Sequence, residues 1–538
     1  MKSRLPIVLI LFVFAIYFLA FFQFALNIPK WDDFALIKTI SDFQSSHGFS
    51  EKWEILSKQH NEHRIVLTRV FALLDYWIFG ELNFVHLMFL GSLALVAIFW
   101  TFIDVIYQTK KDVWIGFCLS IFWFSLAFYE NTFWGMAAVQ NFWIVAIILI
   151  LIYLLAFSPQ KIGLILCLLL LSIFTSGNGL LTIPLVLFSY FLHRQYRFLV
   201  YSLLFSAIVI FLYFYQYAAP LDVPSANHLS ITDFIKGIIV MCGSMLEGIP
   251  MSPQLMFGLG IFLLVCTSYL IVNKLFNALF QRKSLAPIEF FILLGLIFAL
   301  TTCLLVSFSR SSVSGPDSLI LSRYKPYSAL IISLLLIELT RKHTFNKHFI
   351  FRFGLVLFSL FCYISWEHYF LKNVIDQRRF LNSISFNWGN LSKPGSAKSK
   401  HEIYHQPSLY LDHYSNYRKS ISIQSRIENV SGNVPFILNL DKLSSQNFLD
   451  EGPYFILVNE SHCYILPFIQ GRKHSIRNVL NYTRFYTDLA TCTLNLKETE
   501  IVPGNYLIQM LNNHQISSLG NRVLNIPAMS TSKNLSNW

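Results

Sequence analysis

Two adjacent carboxylates, Asp32 and Asp33, stand where the first apolar stretch of the chain ends. Neighbouring acids share charge. One of them is pushed toward a raised pKa and can act as a base, or the pair can hold a divalent cation. A hydroxyl needs such a base to become a nucleophile. The plainer role is a hydrated loop capping the next helix, since Asp is a favoured N-cap residue. A second polar cluster follows at Gln59-His60-Asn61-Glu62-His63-Arg64. On a helix, His60 and Arg64 would share a face while Glu62 and His63 point elsewhere. Imidazole and carboxylate ligate metals, so His60, Glu62 and His63 are candidate ligands for a divalent cation. Arg64 can bind a phosphate or a carboxylate. The alternative is a solvated helix start in which Arg64 or Arg69 pairs with the acids.

Glu130 and Asn131 occupy a very short polar turn, Tyr129-Glu130-Asn131-Thr132, between two apolar runs. An acid beside hydrocarbon is a functional candidate by default, and a water-exposed helix end is the alternative. Arg310, Arg323 and Lys325 flank a later polar loop. Three cations at a membrane surface can neutralise a lipid phosphate, or they simply snorkel.

The elements that must position these residues are membrane helices. The 538 residues are 55% hydrophobic and 13% charged, with mean hydropathy +0.53. A soluble domain carries about 25% charged residues. The net charge of +12 is no nucleic-acid footprint, because most basic residues fall in short loops where they set topology. Lys2-Ser3-Arg4 opens like a signal peptide, but the apolar run is long and no small-residue cleavage site precedes Trp31, so a retained helix is expected.

Hydrophobic runs predict about eleven spans, at 5–27, 83–107, 112–128, 136–157, 162–175, 180–192, 197–217, 254–273, 286–308, 326–340 and 348–368. Lys110-Lys111, Lys161, Arg194 with Arg197, Arg282-Lys283 and Arg341-Lys342 then lie on one side with the N-terminus, which the positive-inside rule makes cytoplasmic. The C-terminal region falls outside. The apolar segment 238–246 is short and holds Gly243, so it reads as an interfacial or re-entrant helix within outer loop 218–253. In the first outer loop, 28–82, Phe34, Ile37 and Ile40 recur at helical spacing, as do Ile65, Val66, Val70, Leu73 and Leu74. Both stretches predict amphipathic interfacial helices.

The chain thus divides into a transmembrane domain, 1–368, and an outer C-terminal domain, 369–538. In the latter, Lys393-Pro394-Gly395-Ser396 reads as a loop, and apolar runs at 434–440, 454–458 and 506–510 read as strands of a small α/β domain. Six of the 8 cysteines lie in apolar stretches. Cys463 and Cys492 do not, and form either a disulfide or two free thiols. His401-Glu402-Ile403-Tyr404-His405 matches the HExxH zinc-protease pattern, which needs a helix. Gly395 and Pro407 leave little room for one, so a protease is not expected. Gly177-Asn178-Gly179 reads as a tight turn. There is no Walker A sequence to use ATP directly.

A first span, an outer loop opening on an acidic pair, interfacial helices, many further spans and an outer C-terminal domain together resemble the GT-C superfamily. These are integral membrane glycosyltransferases that use polyprenyl-phosphate-linked sugars, among them protein mannosyltransferases and the aminoarabinose transferase of lipid A. Asp32-Asp33 matches the family's first-loop acidic motif, although the commonest version is Asp-Glu. Glu130 matches its habit of a second acid in a later outer loop. The resemblance implies an inverting transfer to a hydroxyl acceptor at the outer face, with Asp33 or Asp32 as base. The departing lipid phosphate would be compensated by Arg310, Arg323 and Lys325, by Arg64, or by a divalent cation held at Glu62 and His63. It implies no nucleic-acid partner. An O-antigen polymerase or ligase is the nearest alternative, since such proteins rely on outer-loop arginines. A transporter of lipid-linked glycans would carry charges in mid-span, where this chain has few. Asp104 and Glu338 lie near the cytoplasmic ends. A bacterial inner membrane, with a periplasmic C-terminal domain, is the expected location.

Overall fold

A computed structural model describes residues 4–108, 113–218, 230–342, 349–388, 403–405, 428–430, 436–441, 454–467, 471–481, 489–494, 501–512 and 515–526. Lys110-Lys111, the loop at 393–396, and His401 with Glu402 lie outside them.

Helix α1 (Leu5–Phe24) carries no charge over 20 residues, about 30 Å of helix and the thickness of a hydrocarbon core. Leu11, Phe12, Leu19 and Phe22 stay exposed on it, whereas Val13, Tyr17 and Phe21 are buried against the bundle. Three short helices follow in the first loop. α2 (Asp33–Ser45) buries Leu36, Ile37 and Ile40, α3 (Phe49–Ser57) buries nothing, and α4 (Val66–Phe79) buries Ala72 and Leu73 while Trp77, Ile78 and Phe79 remain exposed. That asymmetry suits helices lying along a membrane surface.

Between α3 and α4 the structure corrects the helical reading of the second polar cluster. Strands β1 (Gln59–His60) and β2 (His63–Arg64) form a minimal antiparallel hairpin that pairs Gln59 with Arg64 and His60 with His63. Asn61 turns it with φ +50°, a conformation that Asn tolerates better than most residues. His60 and His63 therefore share a face, and Arg64 sits beside neither.

The bundle continues with α5 (Phe84–Tyr107), α6 (Val113–Trp123), α7 (Tyr129–Thr132), α8 (Gly135–Ala137), α9 (Trp143–Phe157), α10 (Ile162–Ile173), α11 (Thr182–Leu192), α12 (Tyr196–Phe214), α13 (Ile231–Gly243), α14 (Pro253–Leu279), α15 (Pro287–Ser314), α16 (Lys325–Lys342) and α17 (Phe349–Trp388). Among the described residues, 8 helical stretches are long and apolar enough to cross a membrane. Three expected spans fall short of that measure. The 162–175 and 180–192 segments form α10 and α11, of 12 and 11 residues, and α16 carries Lys325, Glu338, Arg341 and Lys342 within its 18 residues. α13, at 13 residues, reaches only about 20 Å. It lies against α14 and α15. Its approach to α14 is close enough that a Cβ on Gly243 would stand 3.0 Å from Gly260 Cα.

α17 runs 40 residues without a break, so the expected domain boundary at 368/369 falls inside one helix. Its far end meets the C-terminal sheet through Asn387, which donates to Ile465 O and accepts from Ile465 N, both at 2.9 Å. The sheet order is β3 (Glu428–Val430), β9 (Gln515–Ile526), β8 (Gly504–Asn512), β5 (Tyr454–Val458) and β6 (Cys463–Pro467). All its pairings are antiparallel except β3–β9. β4 (Phe436–Asp441) and β7 (Leu489–Leu494) form a separate pair, and α18 (Ile476–Asn481) lies between β6 and β7 in the chain. Cys463 opens β6 and Cys492 lies in β7, whose side chains fall outside the described residues. A second small core joins Ile456, Val458, Ile465 and Leu511 of this sheet to Leu381 and Phe386 of α17 and to Ile28.

Candidate functional site

Asp33 starts α2, and its carboxylate is fully used by backbone donors. Lys30 N donates to Oδ2 at 3.0 Å, and Met136 N, in α8, donates to Oδ1 at 2.7 Å. The side chain is 0% exposed. Burial pushes its pKa up to about 7, against the pull of those two N–H groups and of the Lys30 ammonium. Gly135 permits the approach, since a Cβ there would stand 2.9 Å from Phe84 Cδ1 and 3.3 Å from Asp33 Oδ1.

Lys30 is the residue that sequence reading missed. It is buried, donates from Nζ to Gln377 Oε1 of α17 at 3.1 Å, and lies over the rings of Trp31 and Trp134 at 4.3 and 5.3 Å. Burial draws its pKa down to about 8, while Glu130 and Asp33 hold it up. Its only sequence signal was a cation two residues before the acid pair. Trp31 adopts φ +47°, an uncommon conformation for a bulky side chain, in the bend between Lys30 and Asp33.

Asp32 differs from its neighbour. Its side chain is 26% exposed and lies 3.9 Å from His60 Nε2. It makes no capping bond to α2. Of the two acids, it is the one open to an incoming group.

The hairpin is held rigidly by residues expected to bind ligand. Arg64 donates from Nε to Tyr213 O at 2.6 Å, and its terminal nitrogens reach the carbonyls of Ser57 and Tyr215. Its five donors match several carbonyls at once, so it ties the hairpin to the end of α12. Arg69 likewise serves the carbonyls of Leu56, at 2.9 Å, and Lys58. Gln59 exchanges two bonds with Ala218. Glu62 is committed to Arg310, at 3.2 Å, and His63 faces Gly177. Among the described residues no three His, Cys, Asp or Glu side chains converge as a metal site.

Glu130 and Asn131 are buried in α7 rather than exposed at a helix end. They organise the turn before α16. Glu130 N donates to Ser322 Oγ at 3.2 Å, Glu130 Oε2 accepts from Arg323 N at 3.4 Å, and Asn131 Nδ2 donates to Arg323 O at 3.4 Å. Asn131 Oδ1 accepts from Asn141 at 2.8 Å. Asn141 lies in a π-helical segment, Ala138–Phe142, and such segments are frequent at functional sites. The turn they hold presents Arg323. Its guanidinium lies over Tyr324 at 5.2 Å, its Nε is buried without a hydrogen-bond partner, and it makes no salt bridge among the described residues.

Lys325 is buried in an ion pair. It is 0% exposed, 2.6 Å from Glu247 Oε2, and 3.9 Å from the Phe370 ring centre. Tyr369 OH donates to the other Glu247 oxygen at 3.3 Å. Arg472, from the C-terminal region, stacks on Tyr369 at 3.5 Å and bonds Asn373. Sequence spacing gave no hint of Glu247 or Arg472 as neighbours of Lys325.

The structure therefore brings Lys30, Asp32, Asp33, His60, Glu130 and Arg323 toward one region at the end of α1, and sets Arg64, Arg310 and Lys325 to structural pairings. His405 of the HExxH match lies outside this region. Its Nδ1 is 2.6 Å from Glu81 Oε2, Leu82 N donates to Ile403 O at 2.7 Å, and residues 403–405 form no helix. Compared with known protein families, curated proteins and solved structures, the chain matches none.

Such a site can accept a proton at Asp32 and compensate a developing anion at Arg323, with Lys30 supplying buried positive charge between Asp33 and Glu130.

Proposed function

We propose that the chain is an inverting glycosyltransferase that moves a sugar from a polyprenyl-phosphate donor to a hydroxyl acceptor at the outer face of the membrane. The observation that carries this reading is the split character of the acid pair: Asp33 is buried and held by two backbone donors, and Asp32 is open beside His60. In this reading Asp32 takes the proton of the acceptor hydroxyl. The oxygen forms a bond to the anomeric carbon as the bond from that carbon to the phosphate oxygen breaks. The electron pair leaves with the lipid phosphate, whose charge Arg323 offsets. Asp33 positions the turn that carries Asp32, and Lys30 tempers the charge of the two buried acids.

The same reading makes α10, the Gly177–Leu192 segment and α16 membrane crossings beside the 8 longer helices, giving about eleven, with the N-terminus cytoplasmic and the C-terminal domain periplasmic in a bacterial inner membrane. The resemblance to GT-C enzymes supports it, as does the gathering of charge at the end of α1.

The test is surface glycan or glycolipid in cells producing Asp32→Asn or Asp33→Asn at wild-type protein levels. Loss with Asp32→Asn is expected. Unchanged glycan with that variant, in a strain lacking the natural copy, would sink the reading.

A further inference from the structure

The hairpin face that carries His60 and His63 spans from Asp32 to the turn at Gly177 and Asn178. Cross-strand pairing puts both imidazoles on one side. His60 Nε2 lies 3.9 Å from Asp32 Oδ2, beyond hydrogen-bonding reach. His63 packs so closely on Gly177 that a Cβ there would stand 2.4 Å from Nδ1. Asn178 spends its Nδ2 on Tyr327 OH at 2.7 Å.

Three polar atoms in this small region are buried without a hydrogen-bond partner: His60 Nε2, His63 Nδ1 and Asn178 Oδ1. Buried polar atoms are almost always paired, and exceptions call for an explanation. Here the explanation is not slack structure. The hairpin backbone is pinned by Arg64, by Gln59 to Ala218, and by Tyr217 OH to Glu62 O at 3.2 Å. The frame is fixed, and His63 is packed against the backbone of Gly177.

We propose that His60, His63 and Asn178 form a subsite for a neutral polyhydroxylated group, the hydroxyls of a sugar ring, next to Asp32. A neutral imidazole offers one donor and one acceptor, and the free Asn178 oxygen offers an acceptor. A sugar hydroxyl both donates and accepts, so it satisfies this mixed set. A phosphate only accepts, and would meet the Asn178 oxygen and the Asp32 carboxylate with the wrong sign.

This subsite rests on the transferase reading for its biological meaning, but it can fail separately. The experiment is saturation-transfer NMR on the full chain in detergent micelles, with a panel of methyl glycosides as the probe. Transfer to at least one glycoside is expected with the wild type. At least a five-fold loss is expected with His63→Leu and Asn178→Leu. Gly177→Ala removes no polar group, but its methyl would overlap the His63 ring and displace it, so it should lose the signal in a protein that still elutes as one species. No transfer in the wild type, or full transfer in all three variants, would overturn the subsite. So would micromolar zinc binding, titrated with zinc chloride, that disappears with His60→Ala and His63→Ala, because the cluster would then be a metal site. Retained glycoside binding with unchanged surface glycan in Asp32→Asn would instead defeat the transferase reading and leave the subsite standing.

Discussion

Asp33 and Asp32 share a sequence neighbourhood and nothing else. Burial raises Asp33 to about 7 from an unfolded value near 3.8, so between those values the folded chain holds a proton that the unfolded chain has released. Stability should therefore be fullest at the acid end and decline as pH rises from about 4 toward 7. Lys30, drawn down to about 8, has the opposite slope: the unfolded chain binds more protons from about 8 to 10.5, and stability recovers with pH there. Melting curves across this range should show a decline that Asp33→Asn flattens on its acid limb. The same substitution sets an amide NH₂ against a backbone N–H and costs about 1–3 kcal/mol. Lys325 invites a different test. Removing one partner of a buried ion pair costs about 3–5 kcal/mol, so Lys325→Met should lower the melting temperature sharply. Lys325→Met with Glu247→Leu should regain most of the loss. A double variant no better than the single one would mean that the pair is not the source of the effect.

At the scale of elements, sequence patterns were informative where the surroundings impose one rule. Lipid demands long apolar helices, and α1, α5, α14 and α15 cover spans that hydropathy marked. Helices α2 and α4 followed from the helical spacing of their apolar residues because each buries one face and exposes the other. The 59–64 cluster did not, since a four-residue spacing of His60 and Arg64 fits a helix and says nothing of a turn at Asn61. Nor did composition separate cations that pair with acids from those that cap carbonyls: the partners of Arg64 lie near position 215, and that of Lys325 at Glu247. Arg64→Lys tests the first. A single ammonium cannot bridge three carbonyls from two segments, and a loss of roughly 3 kcal/mol is expected in thermal unfolding. Gly135→Ala tests the seat of Asp33. Its methyl group overlaps Phe84, which should cost about 1–3 kcal/mol and lower glycan output without touching either carboxylate chemically.

At the scale of the molecule, one helix does two jobs. On α17, Gln377 Oε1 accepts from Lys30 Nζ and Asn373 Nδ2 donates to Tyr129 OH, both at 3.1 Å, and the same helix holds the C-terminal sheet through Asn387. Its 40 residues make a rod of about 60 Å, twice a hydrocarbon core. Asn387→Ala strips both backbone groups of Ile465 of their partners, and limited proteolysis should then cut the C-terminal region faster than in the wild type while the membrane helices stay intact. Equal cutting rates would mean that the small apolar core around Ile456 suffices alone. A rod of this length also behaves as a lever. A helix adjusts to bilayer thickness by tilting, at a cost of fractions of a kcal/mol per ångström of mismatch. Any tilt of α17 moves Gln377, and with it the anchor of Lys30 beside the acid pair. Under the proposed transferase reading, lipid chain length becomes a control on the chemistry: reconstituted into bilayers of increasing thickness, the protein should show a turnover optimum, and that optimum should broaden when Gln377→Ala cuts the link between rod and site.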